Sequence, residues 1–511
     1  MLPLAAAALV VGGAVPSHAA APVPVLVVDG QGFGHGVGMA QDGAFWMGKD
    51  GASLGQILGH FYPGAALGRA NGAVRVVVLT DADRDTVVTF PNGGQVRSPR
   101  TGPQATGFPL DVAPGGAVRI RHDGRYRVAP VGGIQAQSAG RAQLLPLPQP
   151  KPPQSSTTTT LLPTPTRPAP TTPSTTTPPT TAPTTTTTSP ERTTGSTVWA
   201  VPARGGTIGV PDRGARYRGA VEAAAGGDGL RLVDEVDVEQ YLRGMGEVRD
   251  PSWPLASLEA QAVAARTYAL RAMRASGEIC DTQRCQVYLG QQAEYGAMDR
   301  AVAATAGQVL TYGGTFAAAV YSANGGGVSA SPEEGFGTPD SAYPYLRAAA
   351  YVTRSPDPWQ VRIALADLAG RLDYGGDLTA VRVATTGPSG RPTAVTLDGS
   401  AGPRTVPAMT VARALGLRST KWGVQVQLGD APLAPPAEDR IQELPDDVAR
   451  ATSSGARAAA TNVAPLARKA GHDRGRPGWA VPALVALALV VGAAGIRTLR
   501  REGRTPPPDE P

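Results

Sequence analysis

The sequence predicts an α+β fold in which β-rich parts pack on a central alanine-rich helix, with disordered linkers and one transmembrane helix outside it. Three observations support this prediction: short runs of β-branched residues, one long helical pattern, and low-complexity stretches that divide the chain. The chain has 511 residues. Two ordered pieces, 23–141 and 198–428, are together long enough to bury a sizeable core.

The two ends of the chain are apolar. A Leu/Ala/Val run followed by small residues predicts a signal peptide over 1–21, although no Lys or Arg precedes the run. Residues 479–496 carry no charge and are long enough for a membrane helix. Basic residues lie on both sides of this segment, so orientation depends on the signal peptide. With that peptide cleaved, the main domain is expected outside the membrane and 497–511 forms a short cytoplasmic tail.

Two stretches have the composition of spacers. Residues 145–197 are dominated by Pro and Thr, and residues 432–478 are rich in Ala, Pro and charge. Such segments cannot bury a core, so we expect both to be disordered. The formal net charge is +6, and its basic residues are spread along the chain rather than blocked. This distribution argues against a nucleic-acid partner.

The first ordered piece begins with GFGHGVGMAQDGAFW, residues 32–46, in which glycines frame His35. Alternating glycines suit a backbone with positive φ or a close approach by another chain. A tight turn with a hydrogen-bonded histidine is the simpler alternative. After this motif the sequence predicts one helix and four strands, at 54–61, 74–80, 86–90, 117–122 and from Tyr126 onward after an Asp-Gly turn.

The second ordered piece opens with strands near 207–210, 215–223 and 230–236, and then changes to a helical pattern at 250–276. Asp250 or Ser252 is a suitable cap for this helix, and Pro254 suits its first position. Its apolar face is nearly all alanine, which allows close packing and predicts a central, enclosed helix.

Polar residues on an enclosed helix must find partners. Gln261, Arg266 and Tyr268 are therefore candidates for a functional site, with purely structural hydrogen bonding as the alternative. Glu247 stands in a glycine-bracketed loop just before the helix. Partial desolvation there would raise the pKa of its carboxyl toward that of a general acid. An ion pair with Arg243 or Arg249 is the alternative.

The chain has two cysteines, Cys280 and Cys285. In an oxidising exterior a local disulfide is the simplest interpretation, zinc is the second and free thiols are the last. A zinc site would need two more ligands. His35 could supply one, and the sequence offers no good fourth ligand, so we expect no metal or other cofactor. Residues 309–327 then predict a strand, a Gly-Gly turn, a second strand and a glycine-rich loop.

Several motifs, taken in chain order, resemble the SpoIID/LytB family: YLRGMGE, WPLASLEAQAVAARTYAL, ICDTQRCQVYLG, AGQVLTYGG, YSANGGG and LGLRST. The segments GFGHGVGMAQDGA and LGHFYPG resemble that family's other signature block. The resemblance covers 198–426 and about 30–65. It implies an envelope protein acting on peptidoglycan. The family includes lytic transglycosylases that cut glycan strands stripped of stem peptides, and enhancers of wall amidases.

Two departures from the family pattern affect this interpretation. In many relatives the glycine–histidine block follows the LGLRST motif, whereas here it precedes it, which predicts a circularly permuted domain. Relatives commonly have Glu-Met-Pro before a Trp-Pro pair, whereas here Glu247 is followed by Val-Arg-Asp-Pro. Asp250 therefore remains an alternative for the working carboxylate.

We expect the His35 loop to fold against the helix at Gln261–Tyr268 and the loop at Asn324–Gly327, forming one wall of a sugar-binding groove. The glycines would let polysaccharide approach the backbone. The resemblance implies that Glu247 is the single acid/base of a lytic transglycosylase. Candidates for substrate contact or support of the site are His35, Gln41, Gln261, Arg266, Tyr268, Gln286 and Asn324.

The expected partners are peptidoglycan glycan strands, the membrane and, as a further candidate, wall amidases. Two other functions stay open at this point. One is a non-catalytic wall-binding or amidase-enhancing protein, and the other is a purely architectural envelope protein.

Overall fold

The computed structural model describes residues 23–132 and 191–429. The predicted signal peptide, most of the Pro/Thr stretch, the second spacer, the membrane segment 479–496 and the tail lie outside these residues. Within them, no helix is both long and apolar enough to cross a membrane. Strand and helix are both abundant in this part of the chain, so the α+β prediction is confirmed.

The α-helices of the described residues, in chain order, are α1 Gln41–Lys49, α2 Leu54–Phe61, α3 Val238–Arg243, α4 Leu255–Ala275, α5 Gly296–Ala304, α6 Pro332–Phe336, α7 Leu365–Arg371 and α8 Ala408–Leu415.

The strands are β1 Val23–Gln31, β2 Met39–Ala40, β3 Ala66–Arg69, β4 Ala73–Asp81, β5 Asp85–Phe90, β6 Gly94–Arg97, β7 Leu110–Val112, β8 Gly116–His122, β9 Tyr126–Val131, β10 Arg192–Thr194, β11 Val198–Pro202, β12 Ile208–Val210, β13 Ala215–Tyr217, β14 Ala220–Gly226, β15 Gly229–Asp237, β16 Ile279–Cys280, β17 Gln308–Tyr312, β18 Thr315–Phe316, β19 Tyr321–Ser322, β20 Pro358–Ala364, β21 Leu378–Thr386, β22 Pro392–Gly399, β23 Arg404–Pro407 and β24 Lys421–Gly429.

Strands from the two ordered pieces interleave in the main sheets. The largest sheet has the order β16-β4-β15-β14-β11-β6-β7, and the next has the order β10-β9-β8-β5-β12-β13. β4 lies antiparallel beside β15, and β6 lies antiparallel beside β11. Strand β10 adds an edge to β9, so the second ordered piece begins before residue 198. Neither piece forms these sheets alone.

The buried apolar residues form two cores, which define two lobes. The larger lobe packs the two main sheets against α1, α2, α4 and α5. The smaller lobe is built from β1, α7, α8 and the strands β20 to β24. Strand β1 lies between β20 and β24, antiparallel to both, so the first described strand completes the lobe formed by the end of the described chain. The circular permutation itself stays a prediction.

Helix α4 is enclosed, as its alanine-rich sequence predicts. Every residue from Ala260 to Leu270 is buried. The predicted start of the helix is wrong, because α4 begins at Leu255 with Pro254 as its N-cap and no side-chain cap. Asp250 instead accepts a hydrogen bond from the backbone N–H of Ser252 in the preceding turn, at 2.8 Å. The proline fixes an extended entry into the helix.

The strand predicted over 215–223 is divided in the structure. β13 belongs to the six-stranded sheet and β14 to the seven-stranded sheet. Gly219 lies between them, where a Cβ atom would stand 2.1 Å from the Asp234 carboxylate. The chain therefore changes sheets at a position that only glycine can occupy without displacing its neighbours.

Candidate active site

Glu247 lies in the loop between α3 and α4, held against the segment 286–290. The N–H of Gly246 donates to the carbonyl of Val287 at 2.8 Å. A Cβ atom at Gly246 would lie 2.6 Å from the side chain of Leu289, and one at Gly244 would lie 2.6 Å from the ring of Tyr288. The two glycines that precede Glu247 thus allow two segments to pack closely and hold the carboxyl in place.

The Glu247 carboxyl accepts three hydrogen bonds. Oε1 accepts the backbone N–H of Val287 at 2.7 Å, and the side chains of Tyr321 and Gln41 also donate to the carboxylate. Desolvation by burial raises the pKa of Glu247 to about 7, although these donors pull it in the opposite direction. The residue keeps partial solvent exposure. A buried carboxyl with a pKa near neutrality is suited to donate and accept a proton.

A buried chain of side chains orients the Tyr321 hydroxyl. Tyr241 donates to Oε1 of Gln286 at 2.9 Å, and Nε2 of Gln286 donates to the Tyr321 hydroxyl at 2.9 Å. Because that hydroxyl accepts from Gln286, its own proton is directed at Glu247. Gln286 is fully buried. Tyr268, also buried, lies close enough to contribute to raising the pKa of Tyr321.

The two glutamines predicted for the site pair with each other. Nε2 of Gln41 donates to Oε1 of Gln261 at 3.2 Å, and both side chains are buried. Nε2 of Gln261 has no hydrogen-bond partner among the described residues. The pair links the start of α1 to the middle of α4 beside Glu247.

His35 is enclosed at the junction of the two lobes. Its Nδ1 accepts the backbone N–H of Val37 at 3.0 Å, and its ring lies 4.7 Å from the ring of Phe336. The imidazole also hydrogen-bonds to the backbone of Tyr321. Desolvation lowers the pKa of His35 to about 3, and the charge of Arg391 adds to this effect. The histidine is therefore neutral at ordinary pH and reaches Glu247 through one intervening residue, Tyr321.

The glycines around His35 make room for the protein's own chain. At Gly32 a Cβ atom would lie 2.4 Å from the carbonyl oxygen of Asn324, and at Gly38 it would lie 2.1 Å from that of Val320. Both glycines have positive φ. The expectation that these glycines leave room for polysaccharide is therefore wrong, because the backbone on both sides of β19 already occupies that space.

Two of the predicted site residues have structural partners elsewhere. Arg266 is fully buried and forms a two-pronged ion pair with Glu239. Asn324 donates to the Ser355 carbonyl and accepts the N–H of Gly326, both at 2.7 Å, which shapes its own loop. Arg266 lies on another side of α4 from the glutamine pair, and Asn324 faces its own loop.

Cys280 and Cys285 form a disulfide. It closes the short loop immediately before Gln286 and Val287, the two residues that hold Tyr321 and Glu247. Both sulfur atoms are committed to this bond. In the part of the chain that the structure describes, no group of three or more His, Cys, Asp or Glu side chains is placed to hold a metal ion.

Sequence reasoning missed three residues here. Tyr321 is the first residue of the YSANGGG motif but was not among the predicted site residues. Asp42, next to Gln41, is buried, and desolvation raises its pKa to about 6. Its carboxylate accepts the Tyr351 hydroxyl at 2.9 Å, and that hydroxyl accepts the N–H of Gly325. Arg391 belongs to the other lobe, and no sequence motif pointed to it.

Comparison with known proteins matches part of the chain. Residues 226–312 match the SpoIID family model, described as Stage II sporulation protein. An uncharacterized protein of Brachyspira hyodysenteriae is 29% identical over 197 residues, which cover 36% of this chain and 53% of that protein. The amidase enhancer of Bacillus subtilis is 38% identical over 97 residues, which cover 19% of this chain and 13% of that protein.

The match thus spans about half of the Brachyspira protein and a much smaller part of the Bacillus protein. No solved structure matches the chain. The SpoIID match includes Glu247, Gln261, Gln286 and the disulfide, and it ends before Tyr321.

Proposed function

We propose that this chain, whose residues 226–312 match the SpoIID family model, cleaves peptidoglycan glycan strands as a lytic transglycosylase. A role in the cell wall is supported by the SpoIID match and by the similarity to the amidase enhancer. The lytic activity is supported above all by the buried Glu247 carboxyl, which is held by the Val287 N–H, the Tyr321 hydroxyl and the Gln41 amide and has a pKa of about 7.

The reaction needs one group that first gives a proton and then takes one. Protonated Glu247 would donate its proton to the oxygen between N-acetylmuramic acid and N-acetylglucosamine as that bond breaks. The resulting carboxylate would then remove the proton from the muramyl 6-hydroxyl as this oxygen attacks the anomeric carbon. The product is a 1,6-anhydro end. Because the sugar's own hydroxyl is the nucleophile, the usual pair of enzyme carboxyls is not required.

The neighbours of Glu247 suit both halves of this cycle. Burial favours the protonated carboxyl in the resting state. Once the proton has left, the Val287 N–H, the Tyr321 hydroxyl and the Gln41 amide stabilise the carboxylate. These donors are held by the protein before substrate arrives, so little reorganisation accompanies the transfer.

We further propose that the protein is exported by its first residues and anchored by 479–496, with the Pro/Thr stretch and second spacer extending the folded part toward the wall. Glycan strands are its proposed partners. A second candidate function, enhancement of a wall amidase without catalysis, is favoured by the name of the Bacillus relative.

The test is to incubate the purified full chain in detergent with peptide-free glycan strands and to measure anhydromuramyl ends by mass spectrometry. We expect product from the wild type and a loss of about 10²-fold to 10⁴-fold in Glu247→Gln, the usual contribution of a general acid.

Asp250→Asn is the matched control. Asp250 is bonded to its own turn, so this variant should keep nearly full activity. Equal product from wild type and Glu247→Gln would remove Glu247 from its role. Absence of product from the wild type, together with stimulation of an added wall amidase, would favour the second candidate function.

A further inference from the structure

We propose that Arg391 is a positioning residue: from the smaller lobe, its guanidinium fixes the two segments of the larger lobe that hold Tyr321 beside Glu247. The expected effect of Arg391 on turnover rests on the proposed function. The hydrogen bonds of Arg391 do not depend on that function. Arg391 immediately precedes β22 and is almost fully buried, with 1% of its surface exposed.

Each nitrogen of the guanidinium has its own acceptor. Nη2 donates to the Gly325 carbonyl at 2.8 Å, Nε donates to the Thr420 hydroxyl at 3.0 Å, and Nη1 donates to the Ser389 hydroxyl at 2.7 Å. The Gly325 carbonyl belongs to the loop that continues directly from Tyr321. One planar group thus ties that loop to the smaller lobe, a task for which the arginine fork is suited.

The second segment held by Arg391 is the His35 loop. The Thr420 hydroxyl donates to the His35 carbonyl at 3.0 Å while it accepts from Arg391. At Gly36, a Cβ atom would lie only 2.7 Å from Nη2 of Arg391. Glycine at this position therefore lets the guanidinium lie directly against the loop backbone, one residue from the imidazole.

Besides Arg391, charged groups near His35 come from α6, from β24 and from the loop before α4. Glu334 of α6 accepts the N–H and hydroxyl of Ser389 and lies near Arg391. Lys421 of β24 donates to the Gly326 carbonyl. Glu247 stands on the far side of Tyr321. Burial lowers the pKa of Arg391 to about 10, so this side chain remains a cation at neutral pH and opposes protonation of His35.

The position of Tyr321 depends on both segments. The His35 ring bonds to its backbone, and the loop after it is anchored at Gly325. Loss of Arg391 would leave the Gly325 carbonyl and the Thr420 hydroxyl without their donor, so the loop after β19 and the His35 loop would no longer be held to the smaller lobe in the same way. The Tyr321 hydroxyl would then shift from Glu247. Loss of the guanidinium charge would also raise the pKa of His35, although desolvation has the largest effect on that pKa.

The experiment compares the full-length wild type with Arg391→Met, Arg391→Lys and the control Arg382→Met, which removes an exposed arginine from the neighbouring β21. The first readout is the titration of His35 by NMR in histidine-labelled protein, assigned with a His35→Gln variant. The second readout is kcat and KM, measured separately for each variant with glycan strands as substrate.

We expect Arg391→Met to raise the pKa of His35 and to lower kcat about tenfold or more while KM changes little, because Arg391 acts through geometry rather than substrate contact. Arg391→Lys should leave the pKa of His35 close to its wild-type value, since the charge remains, but should still lower kcat, because an ammonium cannot serve all three acceptors. Arg382→Met should match the wild type in both readouts.

If Arg391→Met and Arg382→Met give the same His35 titration and the same kcat, the proposal is overturned. If Arg391→Met does not fold, Arg391→Lys decides: a wild-type kcat in that variant would overturn the positioning role. Inactive wild-type protein would refute the proposed function alone, because the His35 titration needs no turnover.

Discussion

The surroundings of Glu247 and of His35 both bury a titratable side chain, but they differ in whether that side chain can change its protonation state near neutral pH. Burial shifts both groups toward their neutral forms, raising the pKa of the carboxyl to about 7 and lowering that of the imidazole to about 3. Glu247 keeps partial exposure, whereas His35 is 5% exposed. The Glu247 carboxyl can therefore exchange a proton near neutral pH, whereas the His35 imidazole can only hold the neighbouring backbone in place.

The largest expected effect on stability comes from the buried carboxyl. In the folded state Glu247 has a pKa of about 7, above its ordinary value of 4.5. The folded protein therefore binds more protons than the unfolded chain between these values, and stability falls as pH rises through this window. At pH 8 Glu247→Gln should be more stable than wild type by up to about 3 kcal/mol, with the pH-dependent part of this difference vanishing below about pH 4.5.

Denaturant unfolding of the purified full chain at a series of pH values measures this difference. Glu259→Gln is a suitable comparison, because Glu259 lies near the exposed start of α4 and is partly buried, and burial raises its pKa in the same direction. A Glu247→Gln variant with the same pH dependence as wild type would mean that the carboxyl is solvated in the folded protein.

Removing the Tyr321 hydroxyl should change both the turnover rate and the pH–rate profile through its effect on Glu247. Tyr321→Phe takes away one of the donors to the Glu247 carboxylate, which should lower turnover about thirtyfold, or about 2 kcal/mol in transition-state stabilisation. Because that donor lowers the pKa of Glu247, the pKa should rise in the variant and the alkaline limb of the pH–rate profile should move to higher pH. Tyr312→Phe, at an exposed tyrosine, is the control. An unchanged pH–rate profile in Tyr321→Phe would mean that Tyr321 takes no part in the proton transfers by Glu247.

The smallest effect concerns the backbone of the His35 loop. Gly36 and Gly51 both have positive φ, but a Cβ atom would contact Arg391 at Gly36 and nothing within 4 Å at Gly51. Gly51→Ala should cost about 1 kcal/mol of unfolding free energy from backbone strain alone. Gly36→Ala should cost about 1 kcal/mol more, since the guanidinium must move. Thermal unfolding measures both variants, and equal costs would contradict the close packing at the junction.

The sequence could predict the elements and several members of the site. The helix at 54–61 and the strands of β4, β5, β8 and β15 follow from local periodicity, and the alanine-rich face indicated that α4 is enclosed. The glycine bracket and the following apolar helix pointed to Glu247 as a desolvated carboxyl. These features depend on residues close together in the chain.

The remainder depends on tertiary contacts that local patterns do not encode. The Val287 group that binds Glu247 is a backbone N–H, which the identity of the side chain does not reveal. Arg391 contacts Gly36 and Gly325 across the junction of the two lobes, far from both in the sequence. Likewise, the glycines near His35 predicted a close approach but not what approaches. The approaching groups are the backbone on both sides of β19, at Gly32 and Gly38, and the Arg391 guanidinium, at Gly36.

The most direct test of the central claim is the titration of Glu247 itself. In the full chain labelled with carboxyl ¹³C glutamate, the resonance that disappears in Glu247→Gln identifies this group. We expect it to titrate near pH 7, which would keep the carboxyl protonated for the first step of cleavage. A midpoint near the ordinary value of 4.5 would show an ionised carboxylate at neutral pH, and Glu247 could then not serve as the proton donor.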